Sequence, residues 1–515
     1  MTGARGMSAH SGRPTDDPTT AGHSPTSPAP GSAHLPLAPP PPTSPPASAS
    51  ADRAAAAAYL GPASRSETAA RSDTGTYAEP AASLVAVEPV GVPGAPPRTG
   101  LAVARPGAGP ARRGEVGRHT AARRWEPWRL RDVVLAWLAA RLVVGAALAM
   151  TRFLADQVYS DQGAQLQTTD LLGWDAGWYR TIADTGYSGA GAESRRFFPL
   201  LPLLVRALSH LPGGGAHSGV VLLLIVNVCA LGLGLALVRL AQAEGLDEAT
   251  TFRLIWFAAL APPAFVLVMG YAEALAGLLA VAVFLGARTR RWELAACAGL
   301  LGGLCRPLGI LLAVPVAVEA ARGLPWPGVR RLGPPAPGAG GTSVANAGGP
   351  RGLREIARRI VAVVAAPVGA GLYVLWSSHT YGDGLAPFTL QRDAARHGST
   401  GNPLAVLWHA ARGAFHGELG TALHVPWILL ALVGLVVMAR RLPVSYVLWS
   451  TLVVAAVLTG SNLDSGERYL YGAFPFLLVA ALVTARREVF TAVLVASTAA
   501  MTLYATLAFT LAYVP

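Results

Sequence analysis

The chain has no lysine. Its 41 basic residues are all arginine, set against 29 acidic ones, for a formal net charge of +12 over 515 residues. Charge of either sign is scarce, at 14%, where a soluble domain carries about 25%. Cysteine is nearly absent. Cys229, Cys297 and Cys305 all sit in apolar blocks and read as small core residues rather than a disulfide framework. No HxxxH or HExxH spacing offers metal ligands, and there is no P-loop, nucleophile elbow or dinucleotide fingerprint. Strand-like alternation of apolar and polar residues is missing as well. Together these absences exclude a soluble enzyme, a disulfide scaffold and an outer-membrane barrel. What the chain has instead is apolar residue, 52% of the total, with a mean hydropathy of +0.41. It is gathered in long blocks. The arginines fall between those blocks, where an inner-face loop would carry them, and no soluble basic surface is visible. Nucleic acid is therefore not an expected partner, and the membrane is.

Residues 1–125 hold 20 of the 41 prolines among Ala, Ser, Gly and Thr. Such a stretch cannot bury enough apolar surface to offset its ordering entropy, and it reads as a disordered cytoplasmic tail. No charged-then-apolar signal peptide opens the chain, so the first apolar block is expected to act as the targeting signal. Residues 126–515 form the membrane domain. Within it lie a first outer loop (151–218), a Gly/Pro/Arg-rich cytoplasmic linker (320–356) and a second outer loop (377–424).

A span needs about 20 apolar residues, fewer when helices tilt or pair. Candidates are 132–150, 219–241, 253–269, 271–287, 294–305, 307–319, 357–376, 425–439, 443–460, 469–485 and 489–513. The expected fold is an all-α polytopic membrane protein with about 11 transmembrane helices. Segments 294–305 and 307–319 flank Arg306-Pro307 and read as a broken hairpin returning to its starting side, since proline ends a helix. Arginine groups precede the first span and recur at Arg288, Arg290 and Arg291, from Arg322 to Arg359, at Arg440 and Arg441, and at Arg486 and Arg487. With the N-terminus cytoplasmic, all of them face the cytoplasm. The outer face then collects the unusual polar motifs.

The first of these is LLGWDAGWYRTIADTGY, residues 171–187. Leu171, Trp174, Trp178 and Ile182 follow helical spacing and suggest a short helix lying at the membrane surface. Asp175 stands beside that stripe with Tyr179 one turn on. A carboxylate partly withdrawn from water becomes a better base; a solvated charge on an amphipathic helix is the plainer alternative. RRFFPLLP (195–202) follows, its Arg195 and Arg196 suited to a phosphate at headgroup level or to ordinary snorkelling. Glu273, in APPAFVLVMGYAEAL (261–275), begins a helix after a proline pair and is either a functional carboxylate or a helix-dipole partner. Arg306, in GGLCRPLGILL (302–312), is a lone guanidinium between apolar helices. Its insertion costs about 2.5–3.5 kcal/mol, so an anion is required, bound phosphate or a partner acid. In NLDSGERYLYGAFPF (462–476), Asp464, Glu467 and Arg468 precede a span; Arg468 is a second phosphate candidate, with a helix cap at Asp464 or Ser465 and surface charges as the alternative. His379, His397, His409, His416 and His424 lie in the second outer loop without ligand spacing.

WDAGWYRTIADTGY followed by FFPLLP resembles the first-loop signature of the PIG-V mannosyltransferase family. GYAEAL resembles that family's GYSEAL segment with Ala272 in place of Ser. GLCRPLG resembles its arginine-bearing hairpin with Pro307 where others carry Ser, and RYLYGAFPF its late Arg-Tyr segment. The four occur in order across roughly residues 130–513. The resemblance implies a GT-C-like, inverting hexosyltransferase, most simply a mannosyltransferase, with its active site on the outer face of the cell membrane. The donor it implies is a polyprenyl-phosphate sugar, and the acceptor a lipid or glycan. It implies Asp175 as the catalytic base. Arg306, Arg468 and Arg196 are then expected at the donor phosphate, and Trp174, Trp178, Tyr179, Tyr271 and Glu273 at the substrates. No cofactor and no metal are expected, since a monophosphate leaving group carries less charge than a diphosphate. A transporter or flippase for lipid-linked sugars is the alternative from another class. Matched broken helices in two repeats would mark it, and only one broken pair is evident.

Overall fold

The computed structural model describes residues 127–159, 167–211, 217–322, 350–390, 401–416, 419–460, 463 and 465–513. The 1–125 tail, most of the 320–356 linker, Asp464 and His397 lie outside the described residues. Among the described residues the fold is all-α, without strands.

α1 (Pro127–Phe153) runs on into a π-helical turn, Leu154–Tyr159. Two short helices follow, α2 (Asp175–Gly189) and α3 (Leu200–Ser209), then the long α4 (Ser218–Ala243). α5 (Glu248–Leu260) leads through a 3-10 segment, Pro262–Leu267, to α6 (Glu273–Arg288). α7 (Trp292–Cys305), a 3-10 segment Pro307–Leu312 and α8 (Ala313–Ala321) make the hairpin. α9 (Pro350–Tyr381) is the longest helix, at 32 residues. Then come α10 (Ala386–Thr389), α11 (Pro403–Phe415), α12 (Leu419–Arg441) and α13 (Val444–Leu458). The chain finishes with α14 (Gly466–Gly472), α15 (Pro475–Val483) and α16 (Arg487–Phe509).

Among the described residues, five helical stretches are long and apolar enough to cross a membrane alone: Arg129–Gln157, Ser218–Ala243, Gly352–Tyr381, His424–Arg441 and Arg487–Phe509. Only 28–39% of each is buried inside the protein, so most of this apolar surface faces outward, as lipid would require and water would not tolerate. α14 and α15 form a sixth only as a pair bent by 82°. The other expected spans are helical but short or interrupted. Segment 253–269 breaks at Pro262 and Pro263, and 294–319 breaks at Pro307, because proline lacks the N–H that continues a helix. Just before Pro307, Arg306 is extended (φ −152°, ψ 155°), the conformation that the proline ring forces on its predecessor.

The hairpin returns to where it started. At its entry Trp292 Nε1 donates to Glu355 Oε1 of α9 at 2.7 Å, and at its exit Arg359, one turn along α9, donates to the Ala320 carbonyl at 2.6 Å. The break sits at the far end, tightly packed. A Cβ on Gly309 would lie 2.0 Å from the Gly302 carbonyl, and one on Gly303 would lie 2.1 Å from that of Ala366 in α9. Small residues let these backbones touch. α6 therefore carries Glu273 at one end and Arg288 at the other, about 23 Å apart at helical rise.

Around Arg288 the charges are tied off. Its Nε and Nη2 bind both oxygens of Glu244 at 2.5 and 2.8 Å, and its Nη1 reaches Glu319 at 3.2 Å. Ser445 Oγ donates to Glu319 at 2.5 Å and the Tyr446 hydroxyl to Glu244 at 2.9 Å.

Candidate active site

Four segments distant in sequence meet at the Glu273 end. The short surface helix begins at Asp175, not at Leu171 as its apolar stripe suggests. Trp174 precedes it with φ 57° and ψ −127°, a strained conformation for a side-chain-bearing residue. Tertiary hydrogen bonds hold this backbone before the helix can start. The Leu171 carbonyl accepts from Gly270 N at 2.9 Å, Thr169 N donates to the Phe509 carbonyl at 2.8 Å, and Trp174 Nε1 donates to the Ala508 carbonyl at 2.9 Å. Gly270 allows the approach, since a Cβ there would lie 2.9 Å from that of Ala176. Asp175 is thereby delivered as the first residue of a helix, where the dipole favours a carboxylate.

The second carboxylate, Glu273, opens α6 in the same way, three residues past Gly270. Arg306 comes from the proline break and Arg468 from the first turn of α14. Arg468 Nη1 donates to Asp175 Oδ2 at 2.7 Å, and its Nε lies 3.2 Å from Glu273 Oε1 without the alignment of a hydrogen bond. Arg306 Nη1 binds that same Glu273 oxygen. The result is a chain, Asp175–Arg468–Glu273–Arg306, with two charges of each sign. Tyr469 lies between the guanidiniums, 5.1 Å from that of Arg306 and 5.2 Å from that of Arg468, and Tyr271 is 5.2 Å from the latter.

Burial is uneven. The side chains of Glu273 and Arg468 are 3% and 6% exposed, whereas Asp175 keeps 24% of its surface open. So the expected base is the accessible carboxylate, and an arginine pairs with it rather than apolar surroundings alone. The buried Tyr271 hydroxyl donates no hydrogen bond among the described residues, although the Asp175 backbone interacts with it. Tyr179 is buried beneath Asp175; desolvation pushes its phenol well above the usual range, against the pull of Arg306, so it stays neutral.

Beside this network opens a narrow cleft that is continuous with open space. Glu273, Arg306, Arg468 and Tyr469 supply its polar lining, and Asp175 lies outside it. Its walls are apolar, with Leu233, Leu312, Trp449, Phe474 and Leu477 among them.

Of the residues expected at the site, the structure joins Asp175, Glu273, Arg306 and Arg468 in one network, with Tyr271 against it. Trp174 holds the loop through Ala508. Trp178 and Arg196 belong to a neighbouring group. Trp178 stacks on Phe197 with centroids 5.7 Å apart, and the Arg196 guanidinium lies 4.6 Å over Phe197 and 5.8 Å over Trp178.

Sequence reasoning passed over three features. Arg141 lies inside the first apolar block, and that interruption was the available signal. It bonds Asn227 Oδ1 at 2.8 Å and the carbonyls of Leu267 and Trp137 at 3.1 and 3.2 Å, so it pins the end of the Pro262–Leu267 break. Glu467, read only as a surface charge, is 1% exposed. His424, grouped with an outer loop, is buried against it.

No family model matches the chain, and no curated protein matches it. Among solved structures it is similar to the oligosaccharyltransferase of Archaeoglobus fulgidus crystallised with zinc and sulfate, at 14% identity over 72% of this chain and 53% of that one, with a TM-score of 0.36. It is similar to the apo form at 14% identity, over 74% and 56% of the two chains, with a TM-score of 0.37. The archaeal oligosaccharyltransferase bound to an inhibitory peptide and a dolichol-phosphate gives 12% identity, 75% and 56% coverage, and 0.36. The chain spans about half the length of the solved chains it matches, and the site geometry above does not depend on these slight likenesses.

Proposed function

We infer that the protein is a membrane glycosyltransferase of GT-C type, which moves mannose or a similar hexose from a polyprenyl-phosphate donor to a lipid or glycan acceptor. The observation that carries this reading is the Asp175–Arg468–Glu273–Arg306 network, three of whose members, Glu273, Arg306 and Arg468, line a largely apolar cavity, with Asp175 reached through Arg468. The walls suit a polyprenyl chain, the two guanidiniums suit the phosphate, and the one accessible carboxylate suits a hydroxyl.

The donor phosphodiester carries one negative charge, and polyprenyl phosphate leaves with up to two. Charge thus grows on the leaving oxygen as the C1–O bond breaks, where Arg306 and Arg468 are poised to receive it. Each already holds a carboxylate. The incoming phosphate takes over those N–H groups, and Asp175, released from Arg468, accepts the proton of the acceptor hydroxyl while that oxygen bonds to C1 from the opposite side. Inversion follows from this geometry. Arginine placement along the sequence supports an outer-face site, with the N-terminus in the cytoplasm.

Asp175→Asn is the test, assayed in membranes with polyprenyl-phosphate mannose. Turnover should fall ~10²–10⁴-fold with the fold intact. Near-normal turnover rejects the assignment. Movement of the lipid-linked sugar across reconstituted vesicles without glycoside product identifies a transporter instead.

A further inference from the structure

Beside Arg468 lies a second buried carboxylate that the mechanism does not use. Glu467 Oε2 is 2.8 Å from His424 Nδ1 at the head of the 424–441 span, and its Oε1 accepts a hydrogen bond from the Tyr513 hydroxyl. Both partners are themselves held. The Tyr513 ring packs at 5.2 Å edge-on to Tyr504, whose hydroxyl accepts from Trp427 Nε1 at 2.8 Å. The His424 ring lies 5.9 Å from that of Tyr513. The backbone is strained at two places close by in sequence. Ser465, which starts the Glu467–Arg468 turn, has φ 60°, and Leu511, which turns Tyr513 back toward the protein, has φ 58°.

The same stretch, 508–513, also holds the other half of the catalytic pair. The carbonyls of Ala508 and Phe509 accept from Trp174 Nε1 and Thr169 N. One short segment therefore grips the Trp174–Asp175 turn with its backbone and the Glu467–Arg468 turn with the Tyr513 side chain. It spans the 2.7 Å bond between Asp175 and Arg468, residues 293 apart in sequence.

We propose that Glu467, clamped by His424 and Tyr513, is a positioning residue for Arg468, and that the 508–513 segment sets the spacing between phosphate-binding guanidinium and base. The inference rests on the role given above to Arg468. A buried carboxylate fastened from two sides fixes the helical turn that bears Arg468. Its loss lets the guanidinium drift, and a displacement of about 1 Å can cost a hundredfold where orientation matters.

The test measures binding of polyprenyl monophosphate to the purified full chain, alongside thermal stability, in a double-mutant cycle. Glu467→Gln should weaken binding about tenfold in the folded fraction, and should add nothing further in an Arg468→Gln background, because its effect acts through that side chain. Tyr513→Phe, which removes one hydroxyl and keeps the ring, should act in the same direction by a smaller factor. It carries the test if Glu467→Gln fails to fold. A lowered melting temperature with wild-type affinity in both variants makes Glu467 merely structural and overturns the proposal. So do effects that simply multiply with Arg468→Gln. Wild-type affinity in Arg468→Gln alone overturns the phosphate assignment and this inference together. Loss of binding in Arg468→Gln with no loss in Glu467→Gln or Tyr513→Phe overturns the positioning role only.

Discussion

The two ends of α6 hold networks of the same ingredients in different states of completion. At the Arg288 end, the guanidinium is bidentate to Glu244 and reaches Glu319, and Ser445, Tyr446 and Arg322 add further hydrogen bonds to the two carboxylates. At the Glu273 end, one carboxylate oxygen is shared by two arginines, Arg468 Nε is misaligned, the Tyr271 hydroxyl donates to no described residue, and a cavity adjoins. Buried charge of either kind is costly unless compensated. In the first network no buried polar side-chain atom of the described residues is left without a hydrogen-bond partner. The second leaves donors unspent beside a space, which is what an anion-binding site requires before its anion arrives. Burial and ion-pair count alone do not separate the two; hydrogen-bond saturation does.

The sharpest way to break this comparison is to neutralise one member at each end. Asp175→Asn should lose ~10²–10⁴ in turnover while melting near the wild type. Arg288→Gln should do the opposite. It strips Glu244 of its guanidinium and leaves Glu319 with Arg322 alone, so it should cost up to about 3–5 kcal/mol of stability, with turnover per folded molecule unchanged. Scanning calorimetry beside single-turnover assays reads both. If Arg288→Gln abolishes turnover in folded protein, the division of labour is wrong.

Glu273→Gln sharpens the comparison further. It leaves the two site arginines undercompensated, so the melting temperature should drop, and added polyprenyl phosphate should restore part of the loss by binding the native state. The equivalent neutralisation, Glu319→Gln, should show no such rescue. The smallest effect is expected on the Arg288 side, at the start of α5. Asp247 caps that helix by accepting from Thr250 N at 2.7 Å, and the Thr250 backbone and side-chain hydrogen bonds hold its carboxyl below the usual range. Asp247→Ala should cost about 1 kcal/mol. Because the folded pKa is the lower one, the cap's contribution is present above the ordinary carboxylate pKa and fades as pH falls through the folded value. Hydrogen exchange at the Thr250 amide against pH measures it.

The four residues of the network were all visible in the sequence, each for a local reason. Arg306 stood alone before a proline between apolar runs, Glu273 followed a proline pair, and Asp175 and Arg468 sat in motifs dense in aromatic residues. The helical class and the hairpin that doubles back at Pro307 were legible too, since hydropathy and proline act locally. What escaped was whatever depends on who meets whom. The stripe from Leu171 to Ile182 looked like one helix, yet bonds to Gly270 and Phe509 take its first turn. Glu467 looked like a surface charge beside a cap, and Ser465 makes no side-chain cap there. Segments expected as full spans became short helices and a pair bent by 82°, because prolines broke them and neighbouring backbone satisfied the gaps.

Composition and order along the chain therefore decided on their own that this is a bundle of apolar helices with arginine and carboxylate placed at their broken ends. Backbone that cannot reach water must satisfy itself helically, and proline dictates where that fails. Only the folded arrangement decided which guanidinium each carboxylate would face, which pairs would be closed off by further hydrogen bonds, and which would be left beside an empty hollow. Those choices belong to contacts between residues hundreds of positions apart, and no local signal encodes a partner at that distance.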